Sequence, residues 1–137
     1  MHPELKAHPE YFKREIIQLA DNVYMAFGFA ASNQFMIVGD DGLIIIDTSE
    51  TTKAAENVLA AFREISSLPI HTIILTHSHR DHVSGASVFA EDGSPDILAS
   101  ERYSEDSLFV ASSHPQPVKA MQARTKRQFG IGLSYPD

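Results

Sequence analysis

Thr76-His77-Ser78-His79-Arg80-Asp81-His82-Val83-Ser84-Gly85 is the stretch that decides how this chain is read. Within it, four side chains of the kinds that bind divalent metals fall inside six residues, in the pattern H-x-H-x-D-H. In front stands Ile70-His71-Thr72-Ile73-Ile74-Leu75, an apolar and largely β-branched run that predicts a buried strand. Behind it, Gly85-Ala86-Ser87-Val88-Phe89 opens a helix. The four side chains therefore belong on the turn that leaves the C-terminal end of a strand, where α/β sheets place their chemistry.

The spacing has a physical reason. In an extended segment, residues two apart point the same way, so His77 and His79 can offer their imidazoles to one ion. The turn then swings Asp81 and His82 to the other side, where they can hold a second ion. Imidazole with carboxylate suits Zn²⁺, and less exclusively Fe or Mn. The chain has no cysteine, so disulfides and thiolate sites are excluded and any zinc must use nitrogen and oxygen donors. That donor set is the catalytic rather than the structural habit of zinc.

Working outward toward the N-terminus, Leu43-Ile44-Ile45-Ile46-Asp47 predicts a strand apolar enough to be buried on both faces. It follows Asn33 to Val38 across a Gly39-Asp40-Asp41-Gly42 turn. Ile16 to Leu19 and Val23 to Phe27 predict a hairpin about Asp21-Asn22. Residues 1–15 are polar and predict an arm lying across the surface of a domain over 16–137. Between Asp47 and Ile70, Thr51 or Thr52 caps a helix running to about Ile65, with Ala55, Val58, Leu59, Phe62 and Ile65 along one face. Strand, helix, strand makes a βαβ unit with the candidate ligands at the second strand's end. Asp47 ends its strand at the same edge, where it can cap the helix that follows.

Towards the C-terminus the pattern weakens. Asp96 to Ser100 predicts a further strand, Ser104 to Val110 a helix, and Val118 to Phe129 a basic helix carrying Lys119, Arg124, Lys126 and Arg127. That helix is either a cationic wall for an anionic substrate or a face that packs on another part of the protein. His114 stands before Pro115 in a loop and is a weaker ligand candidate; His71 opens a strand and reads as structural.

The chain's 137 residues suffice for one domain with a real core. A net charge of −7 provides no basic field for nucleic acid. No apolar run approaches the ~18 residues of a membrane span, and the N-terminus lacks the apolar region of a signal peptide. A cytoplasmic location is the resulting expectation.

The His-Asp segment resembles the signature of the metallo-β-lactamase fold. Further segments are similar to that fold's alkyl sulfatase branch: His8-Pro9-Glu10-Tyr11-Phe12, Val23 to Gly28, Gly42 to Thr48, and Arg124 to Gly130. The resemblance implies an α/β fold, the first half of an αββα sandwich with a mixed sheet and flanking helices. It implies two Zn²⁺ ions held by His77, His79, Asp81 and His82, with Asp81 also orienting the attacking water. It casts Asp47 as the support of the metal-bearing loop, and implies hydrolysis of sulfate esters of alcohols. A complete domain of this kind draws further ligands from a second half, so this chain is expected to represent a partial, truncated form. Two other readings stay open: another hydrolase of the fold, such as a thioesterase, lactonase or β-lactamase, and a non-catalytic metal-binding half-domain or homo-oligomer completed by a partner chain.

Overall fold

A computed structural model describes residues 13–90 and 93–104. Six strands form one sheet in the order of the chain: β1 (Glu15–Ala20), β2 (Val23–Phe27), β3 (Gln34–Val38), β4 (Leu43–Ile46), β5 (Ile70–Leu75) and β6 (Asp96–Ala99). The first four run antiparallel, each to the next. Between β4 and β5 the pairing becomes parallel, and it stays so to β6. The change follows from the connections. The short turns at Asp21-Asn22 and Gly39–Gly42 reverse the chain, whereas a parallel pair needs a crossover.

Helix α1 (Thr52–Arg63) supplies the first crossover. Its cap is Thr51, whose Oγ1 accepts from the Ala54 N–H at 3.1 Å, so Asp47 is released from that role. Ala54, Ala55, Val58 and Phe62 form its buried stripe, and the helix stops at Arg63, leaving Ile65 exposed just beyond it. Two short helices, α2 (Arg80–Val83) and α3 (Ala86–Ala90), make the second crossover. The motif expected as a turn thus coils into a helical turn at its second half.

One row of side chains crosses the sheet through paired positions Tyr24, Met36, Ile45 and Ile73. Met36, Ile45 and Ile73 are wholly buried, and they share a cluster with Val58 and Phe62 of α1 and Val88 and Phe89 of α3. The helices therefore cover this face. Strand β4 departs from the expectation of burial on both faces: Leu43 and Ile45 are buried, while Ile44 and Ile46 on the opposite face are only half-buried. The described helices pack on one face of the sheet, so alternation reappears even in this apolar strand. Strand β6 is exposed along its length, with Ile97 and Leu98 open to solvent.

The expected arm is seen only at its end, where β1 begins at Glu15 and the Arg14 guanidinium lies 5.8 Å over the Phe29 ring. Residues 1–12, His114 and the basic stretch 118–129 lie outside the described residues. Among the described residues no helix is long and apolar enough to cross a membrane.

Gly85, between α2 and α3, is where the motif meets α1. A Cβ built there would stand 2.0 Å from the Thr48 carbonyl oxygen and 2.5 Å from the Ala55 Cβ. The nearest of those atoms is backbone and cannot swing aside. Gly85→Ala is therefore expected to destabilise the chain by about 1–3 kcal/mol, as overpacking does. Gly93→Ala, where a Cβ meets nothing within 4 Å, is the control and should stay within about 0.5 kcal/mol. Urea denaturation of both variants checks the pair.

Candidate metal centre

Strands β4 and β5 run side by side, so their C-terminal ends bring Asp47 and Thr76 together from opposite ends of α1. At Asp47 the chain leaves β4 through a left-handed conformation, φ 59°, and Ser49 repeats it with φ 69°. Such backbone costs about 1–3 kcal/mol at a non-glycine residue, less at Asp, which tolerates it better than most. The turn holds because neighbours fix it: Asp47 N–H donates to the Ile74 carbonyl at 2.9 Å, and Thr48 N–H to the His82 carbonyl at 2.7 Å.

The Asp47 carboxylate is buried, with 4% exposure, and its polar atoms are well used. Oδ1 accepts from the Thr76 N–H at 2.9 Å. The Thr76 hydroxyl lies 2.8 Å from Oδ2 and 3.0 Å from Oδ1. Oδ2 also meets Nδ1 of His82 at 2.7 Å.

These contacts assign protons by elimination. An ionised carboxylate only accepts, so His82 carries its proton on Nδ1 and keeps Nε2 as a lone-pair donor. The Thr76 hydroxyl likewise gives its single proton to Asp47. The His77 Nδ1, 3.0 Å from the same hydroxyl oxygen, must then be the donor there, which leaves Nε2 of His77 free as well. One carboxylate thus sets the tautomer of two histidines, one directly and one through a threonine. This is the arrangement by which carboxylates orient imidazole ligands toward metals.

The three imidazoles stand together. The His77 ring centroid lies 4.6 Å from that of His79 and 4.0 Å from that of His82. His82 Nε2 is 3.4 Å from Asp81 Oδ2. His77 and His79 are exposed and Asp81 and His82 are half-buried, so the donors face solvent over an anchored base. The His77 ring packs against both His79 and His82, so the two expected pairs of donors adjoin rather than stand apart. The short helix α2 carries Asp81 and His82. Among the described residues, no group of three or more His, Asp or Glu side chains converges closely enough to enclose an ion by itself.

His71 lies at the opposite end of β5, half-exposed and 3.9 Å from Asp41, away from the cluster. An open cleft lined by His71, Thr72, Ser94 and Asp96 occupies that same far end.

Several residues that hold the loop carried no sequence signal. Thr48 is wholly buried, and its Oγ1 donates to the His82 carbonyl at 3.0 Å. The Ser32 hydroxyl donates to the Asp81 carbonyl. Thr48 and Thr76 each follow a strand and adjoin a marked residue, which is the only hint the sequence offers; Ser32 sits in a loop without pattern.

A sequence profile described as Metallo-beta-lactamase superfamily matches residues 27–108. The Alkyl/aryl-sulfatase BDS1 of Saccharomyces cerevisiae is 34% identical over 125 residues, covering 87% of this chain and 19% of that protein. A Linear primary-alkylsulfatase of Pseudomonas sp. is 37% identical over 107 residues, covering 74% of this chain and 20% of the other. Among solved structures, the stereoselective inverting sec-alkylsulfatase Pisa1 from Pseudomonas sp. superposes with a TM-score of 0.67 at 25% identity, covering 94% of this chain and 21% of its own. The chain thus spans about a fifth of the length of these relatives.

Asp47→Asn tests the anchor. An amide presents one acceptor where the carboxylate presents two, and its NH₂ would face another donor. The variant is expected to lose about 1–3 kcal/mol from the unsatisfied buried donor. It should also release His82 from the Nδ1–H tautomer, which nitrogen-15 NMR of the imidazole reads directly.

Proposed function

The chain belongs to the metallo-β-lactamase superfamily, and from that premise we propose that it is the metal-binding part of a zinc-dependent hydrolase acting on alkyl sulfate esters. The observation that carries the reading is the buried Asp47 carboxylate holding His77 and His82 in the tautomers that present Nε2 outward. A surface cluster of histidines without a metal role has no need of a fixed tautomer. The donor chemistry fits the same reading: three imidazoles and one carboxylate, with no thiolate in the chain.

In this proposal His77, His79, Asp81 and His82 hold two Zn²⁺ ions. Asp47 acts behind them as their support. When bound, the ions supply Lewis acidity and a water acidic enough to attack near neutral pH. Donors beyond these four come from water, substrate or the rest of the protein, since a catalytic zinc normally has about three protein ligands. The carboxylate of Asp81, 42% exposed in its side chain and 3.4 Å from His82, lies at the solvent edge where it can also accept a hydrogen bond from the attacking water. The substrate class, a small anionic sulfate ester, is proposed from the alkylsulfatase relatives. Fe or Mn in place of zinc would use the same donors.

The first experiment is elemental analysis of the chain on a size-exclusion column after zinc loading. About two zinc ions per chain are expected in a defined peak, with His79→Ala and Asp81→Ala each reducing the content. The loaded protein should release inorganic sulfate from octyl sulfate, and removal of the metal by a chelator should abolish that release. Turnover of a thioester, lactone or lactam in preference to the sulfate ester would reassign the substrate. Intact zinc binding without turnover would favour a binding module completed by another chain.

A further inference from the structure

A second tether reaches the histidine-bearing loop from a stretch that the motif does not mark. Ser32, on the connection between β2 and β3, donates its hydroxyl proton to the main-chain carbonyl of Asp81. Gln34, the first residue of β3, fixes the direction of that bond. Wholly buried, it donates from Nε2 to the Ser32 carbonyl at 2.9 Å and to the Ser32 Oγ at 2.8 Å. An amide N–H can only donate, so Ser32 Oγ accepts from it and has its own proton left for the Asp81 carbonyl, which can only accept. The reversed amide would set Oε1 of Gln34 against the carbonyl of Ser32, acceptor to acceptor.

Oε1 of Gln34 is itself buried, with no hydrogen-bond partner among the described residues. A polar atom left so is unfavourable by about 1–3 kcal/mol, and an apolar residue on this sheet face, like the cross-strand partner Ala26 or the strand neighbour Met36, would avoid it. What the amide provides in return is a serine hydroxyl with one place to direct its proton.

We infer that Ser32, oriented by Gln34, is a positioning residue for Asp81: it fixes the main chain that carries the carboxylate, so that the carboxylate stays beside His82. Packing alone does not do this, because the Asp81 side chain is 42% exposed. Nor does Thr48, which holds the carbonyl of the following residue, His82. The inference rests on the reading of this loop as a two-metal centre, and assigns Ser32 to the donors Asp81 and His82 rather than to His77 and His79.

The test is a Co²⁺ titration of the full chain followed by visible absorption, with Zn²⁺ competition and the melting temperature of the metal-free protein measured alongside. Ser32→Ala is expected to weaken one of two binding steps about 10- to 100-fold, the usual effect of losing a supporting hydrogen bond behind a metal ligand. The other step and the metal-free melting temperature should stay close to wild type. Ser32→Thr keeps the hydroxyl and should restore the weakened step. Gln34→Met leaves Ser32 in place but removes its orienting donor; it should weaken the same step, and provides the reading if Ser32→Ala does not fold. Wild-type binding of both ions in Ser32→Ala overturns the inference alone, as does an equal loss in both steps with a lowered melting temperature. A wild-type chain that takes up neither Co²⁺ nor Zn²⁺ overturns the metal-centre reading and this inference with it.

Discussion

The arrangement depends on one buried carboxylate. Asp47 stands where an ionised group is costly unless its oxygens are bonded, and they are bonded to Thr76 N–H, Thr76 Oγ1 and His82 Nδ1. Each partner belongs to the segment that follows β5. The need to satisfy one acidic side chain therefore becomes a constraint on where His77 and His82 stand and which nitrogen each presents. Charge-assisted bonds of this type are shorter and stronger than neutral ones. The 2.7 Å contact to His82 fits that class.

The sheet makes the constraint possible. Four antiparallel strands bring β4 into place, and the change to parallel pairing puts the ends of β4 and β5 at one edge with α1 between them. An antiparallel β5 would have delivered Thr76 and the histidines to the opposite edge from Asp47. Gly85 completes the fit from the other side, because only a residue without Cβ lets α3 approach Thr48 and Ala55 so closely. Core packing and site geometry thus share atoms: Ala55, wholly buried in the hydrophobic cluster, is also the surface on which the end of the loop rests.

Much of this was legible in the sequence, for reasons that can be named. Strands β1 to β5 announce themselves through β-branched runs broken by Asp-Asn and Gly-Asp turns, and α1 through its i, i+3, i+4 stripe and its threonine cap. The pattern His77, His79, Asp81, His82 could be singled out because rare residue types recur at tight spacing. The short helix α2 was not legible, since four residues carry no periodicity. The one-sided burial of β4 was hidden because Ile44 and Ile46 are as apolar as the residues facing the helices. Ser32 and Gln34 were invisible for a deeper reason: their role is a hydrogen-bond direction, which depends on a contact 49 residues away in the chain.

Backbone strain and side-chain freedom are divided between the two sides of this site. On the β4 side, Asp47 and Ser49 hold left-handed conformations within a few residues, a concentration that persists only where neighbours over-determine it. Those neighbours are identifiable: the Ile74 and His82 carbonyls and the Thr51 cap. On the motif side, His77, His79 and Asp81 keep exposed or half-exposed side chains over a main chain pinned by Thr48 and Ser32. For the metal centre proposed above, this division would be an advantage. A fixed main chain sets where each donor starts, while open side chains can close on an incoming ligand without moving the sheet. Had the strain lain in the motif itself, each binding event would have worked against the fold. Placed on Asp47, it is borne once, in folding, and the donors inherit their positions from it.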